Sequence, residues 1–210
     1  MPRTTAKGER ARQQILDAAE RLFAQRGVHG TSVRDVAGDL GIPTASLLHH
    51  FPRKEGLYGA VLERIAEQLT EVLARGTGGT GDHVTKLRRL TRRFWRWSQE
   101  RPDHCVLLLR DMLDRGARIE EAGRLPLAPV VERFAAFIRQ GQAAGVFRPI
   151  DPVAFVIHLA GSVSYFAVAL PVLSRTVGRA PHTIVRDYRR DLKEVVERLV
   201  LVDGVEVGKG

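Results

Sequence analysis

The chain has 210 residues, enough for one or two domains, and its 44% hydrophobic and 27% charged residues are an ordinary globular balance that excludes wholesale disorder. Its 33 Lys+Arg against 24 Asp+Glu give a formal net charge of +9, a weak pointer towards nucleic acid because the surplus is spread along the chain. The single cysteine, Cys105, excludes an intrachain disulfide and a cysteine-based metal framework, and fits a reducing, cytoplasmic setting.

In chain order, residues 1–8 form a basic tail with no apolar run, so a disordered tail is expected and a secretory signal is not. Residues 10–26 place Ile15, Ala18, Ala19, Leu22 and Phe23 on one helical stripe, with Arg12, Gln13, Asp17, Glu20 and Arg21 opposite, and Gly27 ends the helix. Short helices fit residues 33–40 and 44–50, on either side of Gly41. Pro52 breaks the pattern before a long helix over about 53–75, whose core stripe is Leu57, Tyr58, Val61, Ile65, Leu69 and Val72. The sequence GTGGTG at 76–81 reads as a flexible hinge; no strand precedes it and no Lys-Ser or Lys-Thr follows, so it is a poor phosphate cradle. Five further helices are expected at 83–99, 103–121, 127–144, 152–175 and 181–202, with a flexible end at 203–210. No stretch alternates with period two, so the predicted fold class is all-α, with about nine helices. Residues 152–174 carry no charge and are long enough to span a membrane, but Pro171, His158, Gly161 and Ser162 interrupt them and amphipathic helices surround them, which favours a buried helix.

The informative segment is 31–51. Gly41 stands where a helix–turn–helix needs positive φ, Ala37 is small where two helices cross, and Val36, Leu40, Ile42, Leu47 and Phe51 would fix the crossing. The second helix then offers Thr44, Ala45, Ser46, His49 and His50, short or polar side chains suited to a major groove. On this pattern alone, a DNA-reading element and a plain helical hairpin both remain open.

Residues Gly30-Thr31-Ser32-Val33-Arg34-Asp35-Val36-Ala37, then Gly41-Ile42, then Leu47-Leu48-His49-His50-Phe51-Pro52-Arg53-Lys54-Glu55, resemble the N-terminal domain of the TetR family of transcriptional regulators, and Ala18-Ala19-Glu20-Arg21-Leu22-Phe23 with Arg26-Gly27 match it upstream. The resemblance runs in register over about residues 9–69. It implies a three-helix DNA-binding head (9–55, helix–turn–helix 32–51) and a ligand-binding and dimerisation domain (56–202). The implied partners are a near-palindromic double-stranded operator, a second copy of the chain joined through about 152–175 and 181–202, and a small-molecule effector; the implied role is a repressor. The DNA-contact candidates are Thr31, Ser32, Arg34, Thr44, Ala45, Ser46, His49, His50 and Lys54. Thr31 or Ser32 should cap the second helix, whose free N–H groups and a hydroxyl suit a phosphate. Lys54, at the next long helix's start, is also placed for phosphate. His50 could pack inward or reach a phosphate. Three positions depart from the family's habit: Leu48 replaces a common aromatic, Pro43 a common Ser or Thr cap, and Arg53 a common Ser.

No HExxH, GxSxG or Walker pattern occurs, and the adjacent His49 and His50 point about 100° apart on a helix, so neither an enzyme nor a metal or cofactor site is expected. The alternatives are a dimeric helical-bundle binding protein without a DNA role and, behind it, an all-helical enzyme. Candidate pocket residues in the second domain are Trp95, His104, Met112, Phe137, His158, Ser162, Tyr165 and Phe166. The uncharged 152–174 segment favours an apolar effector.

Overall fold

The computed structural model describes residues 6–115 and 126–202; most of the expected basic tail, the end of the 103–121 helix and the segment 203–210 lie outside the described residues. Among the described residues there are nine helices and no strand: α1 (Ala6–Arg26), α2 (Val33–Asp39), α3 (Thr44–His50), α4 (Lys54–Thr77), α5 (His83–Glu100), α6 (Pro102–Arg115), α7 (Ala128–Ala143), α8 (Pro152–Thr176) and α9 (Pro181–Val200).

The chain divides into two compact units, residues 1–67 with 103–122 and residues 68–102 with 123–210. This is not the 9–55 and 56–202 division that the sequence suggests. The first half of α4 and nearly all of α6 belong with α1–α3, and hydrogen bonds of His104 and Asp111 join α6 to α1 and α4, contacts that sequence periodicity does not register.

In the first unit, α1 buries Ile15, Leu16, Ala18, Ala19, Leu22 and Phe23. Phe23 meets the Tyr58 ring of α4 edge-on at 5.4 Å, and the Tyr58 hydroxyl donates to Asp111 of α6 at 3.1 Å. Gly27, at φ +74°, ends α1, and Gly41, at φ +63°, makes the turn between α2 and α3. Val36, Ala37 and Leu47 are almost fully buried between those two helices, which fixes their crossing.

In the second unit, the expected hinge at 76–81 is a clamped turn. Helix α4 runs through Gly76 to Thr77. A Cβ on Gly76 would stand 2.8 Å from the Leu90 Cα, so this glycine serves a close helix approach. The Arg89 guanidinium of α5 donates to the carbonyls of Gly76, Gly78 and Thr80, pinning the turn.

Asp151 caps α8 by accepting from the Ala154 N–H at 2.7 Å, and the helix continues through Pro171 to Thr176. It is long and apolar enough to cross a membrane by length and composition, yet only 33% of its most apolar window is buried within the chain. Phe155, Val156, Leu159, Val163 and Phe166 face the unit's core, whereas Ile157, Tyr165 and Val172 are about two-thirds exposed. Helix α9 is divided too: Leu192 joins Val196 and Val200 in the core, while Val195 and Leu199 remain exposed.

Replacing a helical glycine by alanine ordinarily stabilises by about 0.5–1 kcal/mol. Gly76→Ala should do the reverse, lowering stability by about 1–3 kcal/mol through overpacking against Leu90. Urea denaturation reads the sign, and a stabilised variant would show that residue 76 is a free hinge.

Candidate DNA-binding interface

The start of α2 is built by its own sequence. Ser32 is the N-cap: its Oγ accepts from the Asp35 N–H at 3.1 Å, and the Asp35 carboxylate accepts from the Ser32 N–H at 2.7 Å. The Ser32 hydroxyl also donates to that carboxylate. These bonds, the Ser32 side chain first, hold the Asp35 carboxyl below its ordinary range. Thr31, expected as an alternative cap or phosphate contact, is not the cap. It is 1% exposed, and its hydroxyl lies 3.2 Å from the Leu22 carbonyl and 2.9 Å from that of Gly27, a tie between α1 and the loop after it.

Helix α3 starts after Pro43, which offers no side-chain cap. Leu47 is fully buried, and this one anchor sets the helix's rotation. Ala45, Ser46 and His49 then face solvent together with Leu48, while Thr44 and His50 are half-buried. The His50 ring lies edge-on to His49, with centroids 5.7 Å apart. Phe51 closes α3 in the core, and the Arg12 guanidinium of α1 sits 5.2 Å above its ring, a contact absent from the expected set. Arg34 and Arg53 are exposed. The half-buried Lys54 Nζ donates to the Val28 carbonyl at 3.0 Å, so it ties the start of α4 to the loop before α2.

Behind this face lies a cluster the sequence did not reveal. Glu20, expected on the solvent side of α1, is 8% exposed. Its carboxylate accepts from the Arg64 guanidinium of α4 and from Nε2 of His104 of α6. Arg64 also reaches Asp17 at 2.6 Å. Burial by itself raises the Glu20 carboxyl, but the hydrogen bond and charge of His104 and then of Arg64 outweigh it and leave the group below its ordinary value.

The pocket candidates do not come together. His104 is fully buried in the first unit as a partner of Glu20, not in a ligand cavity, and Met112 on the same helix is 62% exposed. In the second unit, Phe137 is packed between His83 and Phe147, with centroids 6.1 and 5.7 Å away. His158, Ser162 and Tyr165 lie on exposed positions of α8. Trp95 and Phe166 do meet, 5.3 Å apart, and the Tyr188 ring stacks 3.9 Å from Phe166 while its hydroxyl donates to the Ser162 carbonyl at 2.9 Å. In that stack Trp95 and Phe166 are buried and Tyr188 is half-buried. Among the described residues no group of three His, Cys, Asp or Glu is arranged to hold a metal ion.

Residues 15–61 match the family model described as bacterial regulatory proteins of the tetR family, and residues 84–197 match the one described as the tetracyclin repressor-like C-terminal domain. The HTH-type transcriptional regulator RutR of Escherichia coli is 27% identical over 203 residues, covering 95% of this chain and 94% of that protein. The HTH-type transcriptional repressor KstR2 of Rhodococcus jostii is 40% identical over 77 residues, 35% of this chain and 37% of that protein. In fold, the chain is similar to a solved bacterial regulatory protein of the tetR family from Rhodococcus, with a TM-score of 0.70 at 20% identity, over 92% of this chain and 98% of that one.

The lowered Glu20 carboxyl contributes stability that is present above the ordinary glutamate value and is lost as pH falls through the lower, folded-state value. Glu20→Gln leaves Arg64 with Asp17 as its remaining charged partner and should cost about 1–3 kcal/mol at neutral pH. It should also flatten the acid limb of the stability curve. Denaturant titrations of both proteins from neutral to acidic pH test this, and parallel curves would remove Glu20 from the account.

Proposed function

Because the chain belongs to the TetR family of bacterial transcriptional regulators, we propose that it acts as a cytoplasmic homodimer on a near-palindromic operator, reading bases with α3 and repressing by occupancy until a small apolar molecule releases it. The chain is a transcriptional regulator, not an enzyme. The observation that carries the DNA reading is the division of α3: Leu47 is fully buried, while Ala45, Ser46 and His49 are exposed on its outer face. A short helix held by one buried anchor presents those side chains at a fixed angle, and small polar groups approach base edges without clashing with groove walls about 12 Å apart. Lys54 and Arg34 are suited to phosphates, which position the head without reading sequence.

The protein should bind a duplex from its own promoter region far more tightly than random DNA, with affinity falling steeply as salt rises. Lys54→Ala should weaken all duplexes alike and reduce the salt slope by about one. Ser46→Ala or His49→Ala should shift the preferred base at one position by about 1–3 kcal/mol. Fluorescence anisotropy on a selected duplex library measures each of these, and a library without any enriched sequence would refute base readout. Apolar compounds added to the same assay test release: one that weakens operator binding tenfold must itself bind the operator complex tenfold more weakly.

One head reads only a few base pairs, so two heads on a two-fold axis are needed, at major grooves about 34 Å apart. The exposed apolar side of α8 and α9 supports a seam there. Ile157, Val172 and Val195 are each more than half exposed on helices whose other faces are core. Leu192 is unsuitable for testing this seam because it packs within its own chain. Ile157→Glu and Val195→Glu should each yield folded monomers in sedimentation at micromolar concentration; dimers unaffected by both changes would place the seam elsewhere.

A further inference from the structure

A groove of about 1390 Å³ runs between α5 and α9, wholly within the second unit. Its two walls bring cations towards each other: Arg88, Arg89 and Arg92 from α5, and Arg186, Arg189 and Lys193 from α9. Glu197 is the one carboxylate in the lining, and Arg88 occupies both of its oxygens, at 2.9 and 3.0 Å. Arg89 is committed to the carbonyls of the 76–80 turn, and Arg186 leans on Asp187 at 3.2 Å. Among the described residues, Arg92, Arg189 and Lys193 make no ion pair. The groove is backed by Leu87, Trp95, Leu192 and Val196, each under a tenth exposed.

Like charges facing one another over an apolar wall repel, and the low-dielectric backing concentrates their field in the groove. An anion seated between the walls relieves that repulsion, and guanidinium groups match phosphate and carboxylate oxygens in pairs. From Arg186 to Lys193 the helix rises about 10 Å, a span that two anionic groups fill better than one. The groove is also separate from the proposed dimer seam. At about 100° per residue, Arg189 and Lys193 project from α9 about 80–160° round the helix from Val195 and Leu199. A recessed site with apolar backing suits a compact molecule better than the exposed backbone of a duplex.

We propose that the α5–α9 groove is a binding site for a small multianionic ligand carrying two or more phosphate or carboxylate groups. The site is independent of the DNA-binding reading, and its test needs no DNA to succeed. The full-length protein is titrated calorimetrically with inorganic pyrophosphate and, separately, with citrate at low salt, which distinguishes phosphate from carboxylate as the favoured group. The expected result is saturable binding of one anion per chain to at least one of the two. The double substitution Arg189→Glu with Lys193→Glu should weaken it at least tenfold. The double substitution Arg133→Glu with Arg139→Glu, which changes the net charge equally at exposed positions of α7, should leave it within twofold. Circular dichroism confirms that both variants remain folded. Absence of saturable binding by either anion, or equal weakening by both double variants, overturns the proposal. If the groove variant loses affinity for random duplex while binding pyrophosphate normally, the surface serves nucleic acid and the proposal is likewise overturned.

Discussion

A carboxylate shielded from water must be met by cations or give up its charge. Glu20 is such a carboxylate, and the groups that meet it arrive from two other helices, the Arg64 guanidinium on α4 and Nε2 of His104 on α6. This arrangement decides what the first unit is. The resemblance implies a three-helix head over 9–55, but the Glu20 cluster, the Tyr58–Asp111 hydrogen bond and the Phe23–Tyr58 ring contact also join α4 and α6 to α1. The surface that faces DNA in our reading is therefore backed by a polar junction of three helices. Any displacement of α6 is felt at one carboxylate on the helix that supports the whole head.

Much of this was readable in the sequence, and the exceptions have physical causes. The all-α fold and the bounds of α3, α8 and α9 follow from periodicity and from prolines and glycines that interrupt it, and Gly41 adopts the positive φ its position requires. Glu20 escaped because polar residues are assigned to the wet side of a helix by default. Leu16 and Ala24 stand four residues before and after it, and both are buried, so the apolar arc of α1 is wider than the first stripe and contains Glu20. Composition made 76–81 a hinge, since glycines have no side chains to pack, but a glycine also permits a close approach, and the arginine that uses this turn lies on the next helix. The pocket candidates failed to converge for a related reason. An aromatic stripe predicts burial without naming the neighbours, and His104 and Trp95 are both buried in different units.

Helix α9 shows how one amphipathic segment serves several surroundings. Leu192, Val196 and Val200 pack into their own chain, Val195 and Leu199 remain exposed, and the arginines on a third side line the groove with α5. Helical periodicity alone does not separate the first two groups, because they are adjacent on the helical wheel. The exposed apolar side chains of α8 extend the same pattern: this helix has no charged residue before its last turn, and only a third of its most apolar stretch is buried within the chain, which supports the proposed seam.

The end of α9 is held in a manner unusual for a helix terminus. The Arg148 N–H donates to the Val200 carbonyl at 2.8 Å, Phe147 and Leu201 form an antiparallel bridge, and the Arg148 side chain donates to the Leu201 carbonyl. Final helical turns ordinarily open and close at almost no free-energy cost. This one opens only if the connection between α7 and α8 opens with it, so the turn shares the stability of its unit. Leu199 and Val195 are thereby presented on a helix already ordered in the single chain. A second copy docking there gains apolar contact without first having to immobilise the segment it touches, and more of the contact energy survives as affinity.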